Sequence, residues 1–328
     1  MIKTFCRLFV IATAAFAGLG IGPTRPPKIP HVAILVEESA GPVRPQLNGL
    51  RDGLEELKYL DGKNLKLSVV QEEQPETLKA RLKDTLQRAT IDAIVALGTR
   101  ETAIAKELSA TIPILFLPAT DPVQSGFVRS LASPEKNLTG LSFLTGSENV
   151  GKQLEMFKLV APALRQVVVL IDDRQDTGIN NAFRKQIAAV APLLGIQLIE
   201  QTLMRTPESI RQLVPDLKHG GLFPVCSGFF RQPKPIAAMA AKRRLPLFGC
   251  SASQVADGKA LMTYAPDLYA MGYRGASFID RILKGIAPQA LPVETPRKFD
   301  LVINRKIAQE IGLKIPAKVL NVTDRVFD

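Results

Sequence analysis

The feature that most constrains this chain is an alternation of short β-branched runs with amphipathic stretches, begun at His31, interrupted once, and then resumed. His31-Val32-Ala33-Ile34-Leu35-Val36 reads as a buried strand. Residues 43–58 carry Leu47, Leu50, Leu54 and Leu57 at helical spacing. Leu65 to Val70 alternates as a strand, 75–89 is a helix opened by Pro75, and 92–97 is the next strand. Gly98-Thr99 opens a helix that runs to about Ser109, and 112–117 is a strand. Residues 118–146 then turn rich in Gly, Pro, Ser and Thr, with one short strand from Leu138 to Phe143. The alternation restarts with strands at 166–171, 196–200, 221–225 and 245–248, separated by helices at 176–193, 207–218 and 231–243. A strand at 259–264, a long helix at 267–284, a late strand at 300–303 and a small helix at 304–311 complete the pattern.

Repeated strand–helix–strand units imply parallel sheets covered by helices, and the composition break implies two of them. A chain of 328 residues is too long for one ordinary core and suits two lobes of about 130 residues each. The expected fold is therefore α/β, with two Rossmann-like lobes. The first is expected over 31–142 with 265–290, and the second over 143–264 with 291–328.

The N-terminus reads as an export signal over residues 1–22. Lys3 and Arg7 precede an apolar run from Leu8 to Leu19, and Ala15-Phe16-Ala17 fits the small-x-small cleavage pattern. A proline-rich lead-in at 23–30 follows and cannot be helix. Cys6 lies before the apolar run, so it is not a lipid-attachment cysteine. The mature protein is expected in an oxidising, extracytoplasmic space, periplasmic or equivalent.

The net charge of +11 raises the question of nucleic acid. The basic runs are short, Lys242-Arg243-Arg244 being the longest, and none is interleaved with aromatics. A scattered solvated surface is the preferred reading, with no nucleic-acid partner and a monomeric protein. Two histidines and three cysteines, with no CxxC or HExxH spacing, leave no metal site and no cofactor expected.

In open parallel sheets a ligand sits outside the carboxyl ends of the strands. Those ends are Glu37-Glu38-Ser39, Gly98-Thr99-Arg100 and Thr120-Asp121 in the first lobe. In the second they are Asp172-Asp173, Cys226-Ser227 and Cys250-Ser251. Thr99 and Arg100, at a helix start, suit an anionic group such as a carboxylate; equally, Thr99 caps the helix and Arg100 faces solvent. Asp121 holds an ammonium group or closes an Asx turn. Cys226 and Cys250 end consecutive strands and have three readings: two small buried apolar residues, which is preferred, a disulfide, or a ligand-facing thiol pair. A catalytic set is not found: His219 sits seven residues before Cys226, and His31 opens a strand away from the rim.

Several ordered segments carry a family resemblance. They include Gly49-Leu50-Arg51-Asp52-Gly53-Leu54, Ile91-Asp92-Ala93-Ile94-Val95-Ala96-Leu97-Gly98-Thr99 and Asp121-Pro122-Val123-Gln124-Ser125-Gly126. Asn137-Leu138-Thr139-Gly140-Leu141-Ser142, Leu261-Met262-Thr263-Tyr264 and Phe299-Asp300-Leu301-Val302-Ile303-Asn304 follow. In this the chain resembles ABC transporter substrate-binding proteins, the type with tryptophan- and tyrosine-binding members. The resemblance implies a periplasmic-binding-protein-like fold of type I, joined by a multi-crossing hinge. It also implies capture of a small molecule by hinge closure and delivery to a membrane permease of an ABC importer; with no catalytic set found, no enzymatic activity is expected. By position it implies Thr99 and Asp121 as ligand contacts and Tyr264 near the hinge and cleft. Arg100, Cys226-Ser227-Gly228 and Ala265 depart from the pattern of a proline, an acidic residue and a glycine, so the ligand need not be an aromatic amino acid. A ligand-binding sensor that docks on a signalling partner is the alternative, and a hydrolytic enzyme the lesser one.

Overall fold

The computed structural model describes residues 28–37, 43–134, 136–143, 148–171, 177–202, 217, 219–226, 233–296 and 298–328. The expected export signal, Glu38, Ser39, Asp173, Ser227 and most of the helix expected at 207–218 lie outside the described residues.

The first lobe is built on a five-stranded parallel sheet in the order β2-β1-β3-β4-β5. Its strands are β1 (His31–Glu37), β2 (Lys66–Glu72), β3 (Ala93–Ala96), β4 (Ile114–Ala119) and β5 (Leu138–Ser142). Every residue of β1, β3, β4 and β5 is buried, as strands covered on both faces must be. Helices α1 (Val43–Glu56), α2 (Pro75–Arg88) and α3 (Thr99–Leu108) follow β1, β2 and β3. Two cores form, one on each face: Ile34, Leu50, Leu54 and Leu117 on one, Leu35, Leu78, Leu82 and Phe116 on the other.

The second lobe carries α4 (Glu148–Val160), β6 (Gln166–Ile171), α5 (Thr177–Val190), β7 (Gln197–Thr202), β8 (Gly220–Pro224), α6 (Pro233–Lys242), β9 (Phe248–Gly249) and α7 (Ala252–Ala256). Strand β10 (Met262–Ala265) then leads across to α8 (Leu268–Leu283). The chain returns with β11 (Asp300–Asn304), α9 (Arg305–Glu310), α10 (Ala317–Leu320) and β12 (Arg325–Phe327). Two ladders result, β7-β6-β8 and β12-β11-β10-β9. Only an isolated bridge between Leu222 and Leu247 joins them among the described residues.

The sheets are parallel with one exception: β11 runs antiparallel to β10. The cause is the crossing itself. Strand β10 leaves the second lobe at Ala265 and β11 re-enters it at Asp300, and these two residues are partners in the ladder. A strand that exits and a strand that enters at the same end must run in opposite directions.

Helix α8 lies after the second-lobe strands in sequence but packs on α1 of the first lobe. The two helices touch backbone to backbone at paired glycines. A Cβ on Gly272 would stand 2.0 Å from the Gln46 carbonyl oxygen, and one on Gly49 would stand 2.1 Å from that of Tyr269. Three tyrosines lace the seam, each donating its hydroxyl to a carboxylate on the facing helix or its flank: Tyr59 to Asp280 at 3.0 Å, Tyr269 to Asp52 at 2.7 Å, and Tyr273 to Glu56. Leu268, Phe278 and Ile279 enter the first-lobe core.

The stretch after α8 stays with the first lobe longer than the boundary expected at residue 290. Leu291 is buried in the first-lobe core, Thr139 donates to its carbonyl at 2.6 Å, and Glu294 bridges to Leu141 of β5. The return crossing therefore falls between Glu294 and Asp300. There the Phe299 ring stacks on Tyr264, with centroids 5.5 Å apart.

Candidate functional site

At the first-lobe rim the polypeptide turns from β3 into α3 through Gly98, which is the N-cap residue with φ 144°. An L side chain rarely adopts that backbone, and a Cβ there would stand 2.4 Å from the Glu101 carboxylate. Thr99 is thus the first helical residue, and the capping role weighed for it belongs to Gly98. This frees the Thr99 hydroxyl to tie two strand ends together: it accepts the Thr120 amide at 2.8 Å.

Arg100 is engaged by the protein itself. Its Nη1 donates to Glu37 Oε2 at 3.2 Å, with both side chains largely sheltered. Glu101 completes the cluster, and sequence reasoning missed it. It is 4% exposed and accepts the Glu37 amide at 3.1 Å, joining the end of β1 to the first turn of α3. Burial pushes its carboxyl up to about 7, over the opposing pull of backbone hydrogen bonds and of Arg100, with the Glu37 carboxylate adding to the rise. The available signal was an acidic residue in the first turn of a helix that opens at a rim.

Asp121 has φ 37° and its carboxylate accepts the Gln124 amide at 3.1 Å, three residues on, one residue farther than the Asx turn weighed for it. Ser125 fastens the same turn by donating to the Thr120 carbonyl at 3.0 Å. Thr99, Arg100, Thr120 and Asp121 therefore stand in one interlinked rim.

At the second-lobe rim the Cys226 and Cys250 sulfurs are bonded, with Cα atoms 5.3 Å apart. Of the three states open in sequence, this is the one the structure holds. Cys250 donates its amide to Gln254 Oε1 at 2.8 Å, and Ser251 Oγ lies 3.0 Å from Ser253 Oγ. Tyr264 sits near the end of β10, where its carbonyl accepts Gln153 Nε2 at 3.1 Å.

A cavity of about 350 Å³ opens where the lobes meet. Pro45, Leu268 and Tyr269 line it from the first-lobe side, and Ser251 to Ser253, Ala256, Arg325 and Phe327 from the second. Ser251 is the expected residue among these walls. The polar members are ordered by neighbours. Asp267 caps α8 by accepting the Tyr269 amide at 2.8 Å, and Arg325 donates to Asp300 at 3.1 Å. Arg325 and Phe327 escaped sequence reasoning because a three-residue strand carries no measurable period.

Such a cavity mixes hydroxyls, one carboxylate, one guanidinium and apolar walls. It suits a small amphipathic molecule rather than a polymer. Among the described residues no helix is long and apolar enough to cross a membrane, and no group of three or more His, Cys, Asp or Glu side chains converges as metal ligands would.

Known proteins share this fold. A tyrosine-binding protein of Clostridioides difficile is 24% identical over 272 residues, covering 81% of this chain and 76% of that protein. A conserved domain protein of Vibrio cholerae superposes with a TM-score of 0.81 at 25% identity, over 91% of this chain and all of that one. An ABC domain from Streptococcus pneumoniae in complex with L-Trp superposes with a TM-score of 0.80 at 21% identity, over 92% of this chain and all of that one. The family model described as ABC transporter substrate binding protein matches residues 31–327. The chain belongs to the ABC transporter substrate-binding protein family.

Proposed function

We propose that this chain is the exported, extracytoplasmic solute-binding component of an ABC importer, and a binding protein rather than an enzyme. It captures a small carboxylate-bearing molecule, of which an amino acid is the first choice, and delivers it to a membrane permease. The observation that carries the reading is that the strand-end rims of both lobes present polar groups, Thr99, Arg100 and Asp121 on the first and Ser251 on the second, with Ser251 also walling an interlobe cavity; hinge closure over these rims couples occupancy to lobe position. The tyrosine-binding relative and the L-Trp complex support an amino acid as the class of solute.

In this reading the ligand carboxylate meets the α3 N-terminus, taking a hydrogen bond from the Thr99 hydroxyl and a share of the Arg100 guanidinium. Glu37 holds Arg100 in place and balances its charge while the site is open. Asp121, Glu38, Ser39, Asp173, Ser227 and Ser251 are the further contacts. A thermal-shift and calorimetric screen of amino acids and organic acids tests the proposal, with Arg100→Ala as the variant. Binding by the native chain and a loss of about tenfold, or 1.4 kcal/mol, in the variant are expected. Unchanged affinity would remove Arg100 from the site. Failure of every acid to bind would overturn the solute class.

A further inference from the structure

The second-lobe sheet is weakest where the cavity needs it most. Strands β8 and β9 belong to different ladders, and the Leu222–Leu247 bridge with one Leu222 amide bond to Pro246 is their backbone link. Beyond that bridge, toward the rim, no ladder continues between them among the described residues. β9 is only two residues long, and the chain turns at once through Cys250 and Ser251 into α7, whose residues wall the cavity. The disulfide sits in this gap. It holds the two rim ends 5.3 Å apart at Cα, close to the ~4.8 Å spacing of hydrogen-bonded strands. Cys250 also fixes the start of α7, because its amide is bound by Gln254, a side chain 3% exposed. On the far side Asn304 Nδ2 ties the Val255 carbonyl to β11 at 3.0 Å. The cavity wall is therefore anchored to β11 by the Asn304–Val255 hydrogen bond and to β8, across the break, by a covalent bond.

We propose that the Cys226–Cys250 disulfide is a clasp that positions the second-lobe wall of the cavity, making solute binding by this chain dependent on redox state. The inference rests on the proposed function, with Ser251 and the cavity wall it belongs to as the second-lobe side of the solute site. In the bonded form Ser251 and the 252–256 turn are held for binding. Reduction by a small dithiol breaks the sulfur–sulfur bond: two electrons and two protons pass to Cys226 and Cys250, and the dithiol leaves as its own disulfide. The rim ends of β8 and β9 then part, and the wall loses its reference to the rest of the lobe. The pair acts through Ser251 and α7, so these cysteines are positioning residues.

The test uses the full chain in three forms: oxidised, reduced with a dithiol, and Cys226→Ser/Cys250→Ser. Calorimetry with L-tyrosine and L-tryptophan as probes is run beside hydrogen exchange. Reduction and the double variant are each expected to weaken the bound probe about tenfold. Both are also expected to speed amide exchange at 250–256 while leaving β1, β3 and β4 unchanged. Reoxidation restores the native chain and leaves the variant unaltered. With a probe bound, constancy of either readout overturns the proposal. So does faster exchange spread evenly over both lobes, which would make the bond a general staple. If neither probe binds the oxidised chain, the solute class fails separately, and exchange alone decides: local acceleration keeps the clasp, and no acceleration sinks it.

Discussion

The two strand-end rims solve the same problem by different chemistry. In the first lobe the strand ends belong to one continuous sheet and are cross-tied by hydrogen bonds, Thr99 to Thr120 and Glu101 to the Glu37 amide, with the Glu37–Arg100 ion pair beside them. In the second lobe the ladder is interrupted, and a covalent bond spans the gap. A continuous ladder can afford a rim set by reversible contacts, whereas an interrupted one needs a bond that does not fluctuate open. The first rim should therefore answer to protons and the second to electrons.

Breaking the second rim is expected to have the largest effect on stability. Cys226→Ala/Cys250→Ala releases a cross-link between residues 24 apart in sequence, which the chain-entropy estimate puts at about 3.5 kcal/mol. Denaturant unfolding followed by hydrogen exchange should place this loss in the second lobe. An equal loss in both lobes would erase the contrast between the rims.

The proton response of the first rim comes next. The Glu101 carboxyl lies at about 7 in the folded chain against an ordinary 4.5, so the folded state binds more protons than the unfolded state between those values. This group's contribution to stability then falls as pH rises from about 4.5 to about 7, by roughly 3 kcal/mol in all, and levels off above. Glu101→Gln keeps the acceptor for the Glu37 amide and removes the titration. The variant is expected to lose this contribution to the pH slope and to be the more stable protein at pH 8. A slope identical to that of the native chain would show that another group sets it.

Thr99→Val should cost least, about 1 kcal/mol, because it strips the acceptor from one partly buried Thr120 amide. The loss should be independent of redox state, and urea titrations of the oxidised and reduced chains check this. A redox-dependent loss would mean that the rims are coupled through the hinge.

Much of the fold was legible because its carrier, hydrophobic period, is local. β1 is buried at every position and α8 carries an apolar stripe, and both stand out in the bare sequence. What escaped was set by tertiary placement. The reversal of β11 follows from where the chain crosses back, and β12 is too short to show a period. The site was legible as strand ends. It was not legible that Gly98 would take the cap, that Arg100 would turn to Glu37, or that Glu101 would be buried beside them. Each depends on which strand end lies next to which. Two cysteines at consecutive strand ends told of proximity, but only a broken ladder explains why a bond is needed there.

The tyrosines give the molecule a built-in optical probe. The chain has no tryptophan and four tyrosines, so its near-ultraviolet absorbance and fluorescence arise almost wholly from them. Tyr59, Tyr269 and Tyr273 lie along the α1–α8 seam, hydrogen-bonded to carboxylates, and Tyr264 is stacked on Phe299 where the chain crosses between lobes. Tyr59 is pushed up to about 12, by burial first and then by Asp280, so alkaline titration separates its ionisation from that of an ordinary phenol. A spectroscopist working with unlabelled protein would read chiefly the helix seam and the hinge. A colourless solute that moves the lobes would announce itself through Tyr264.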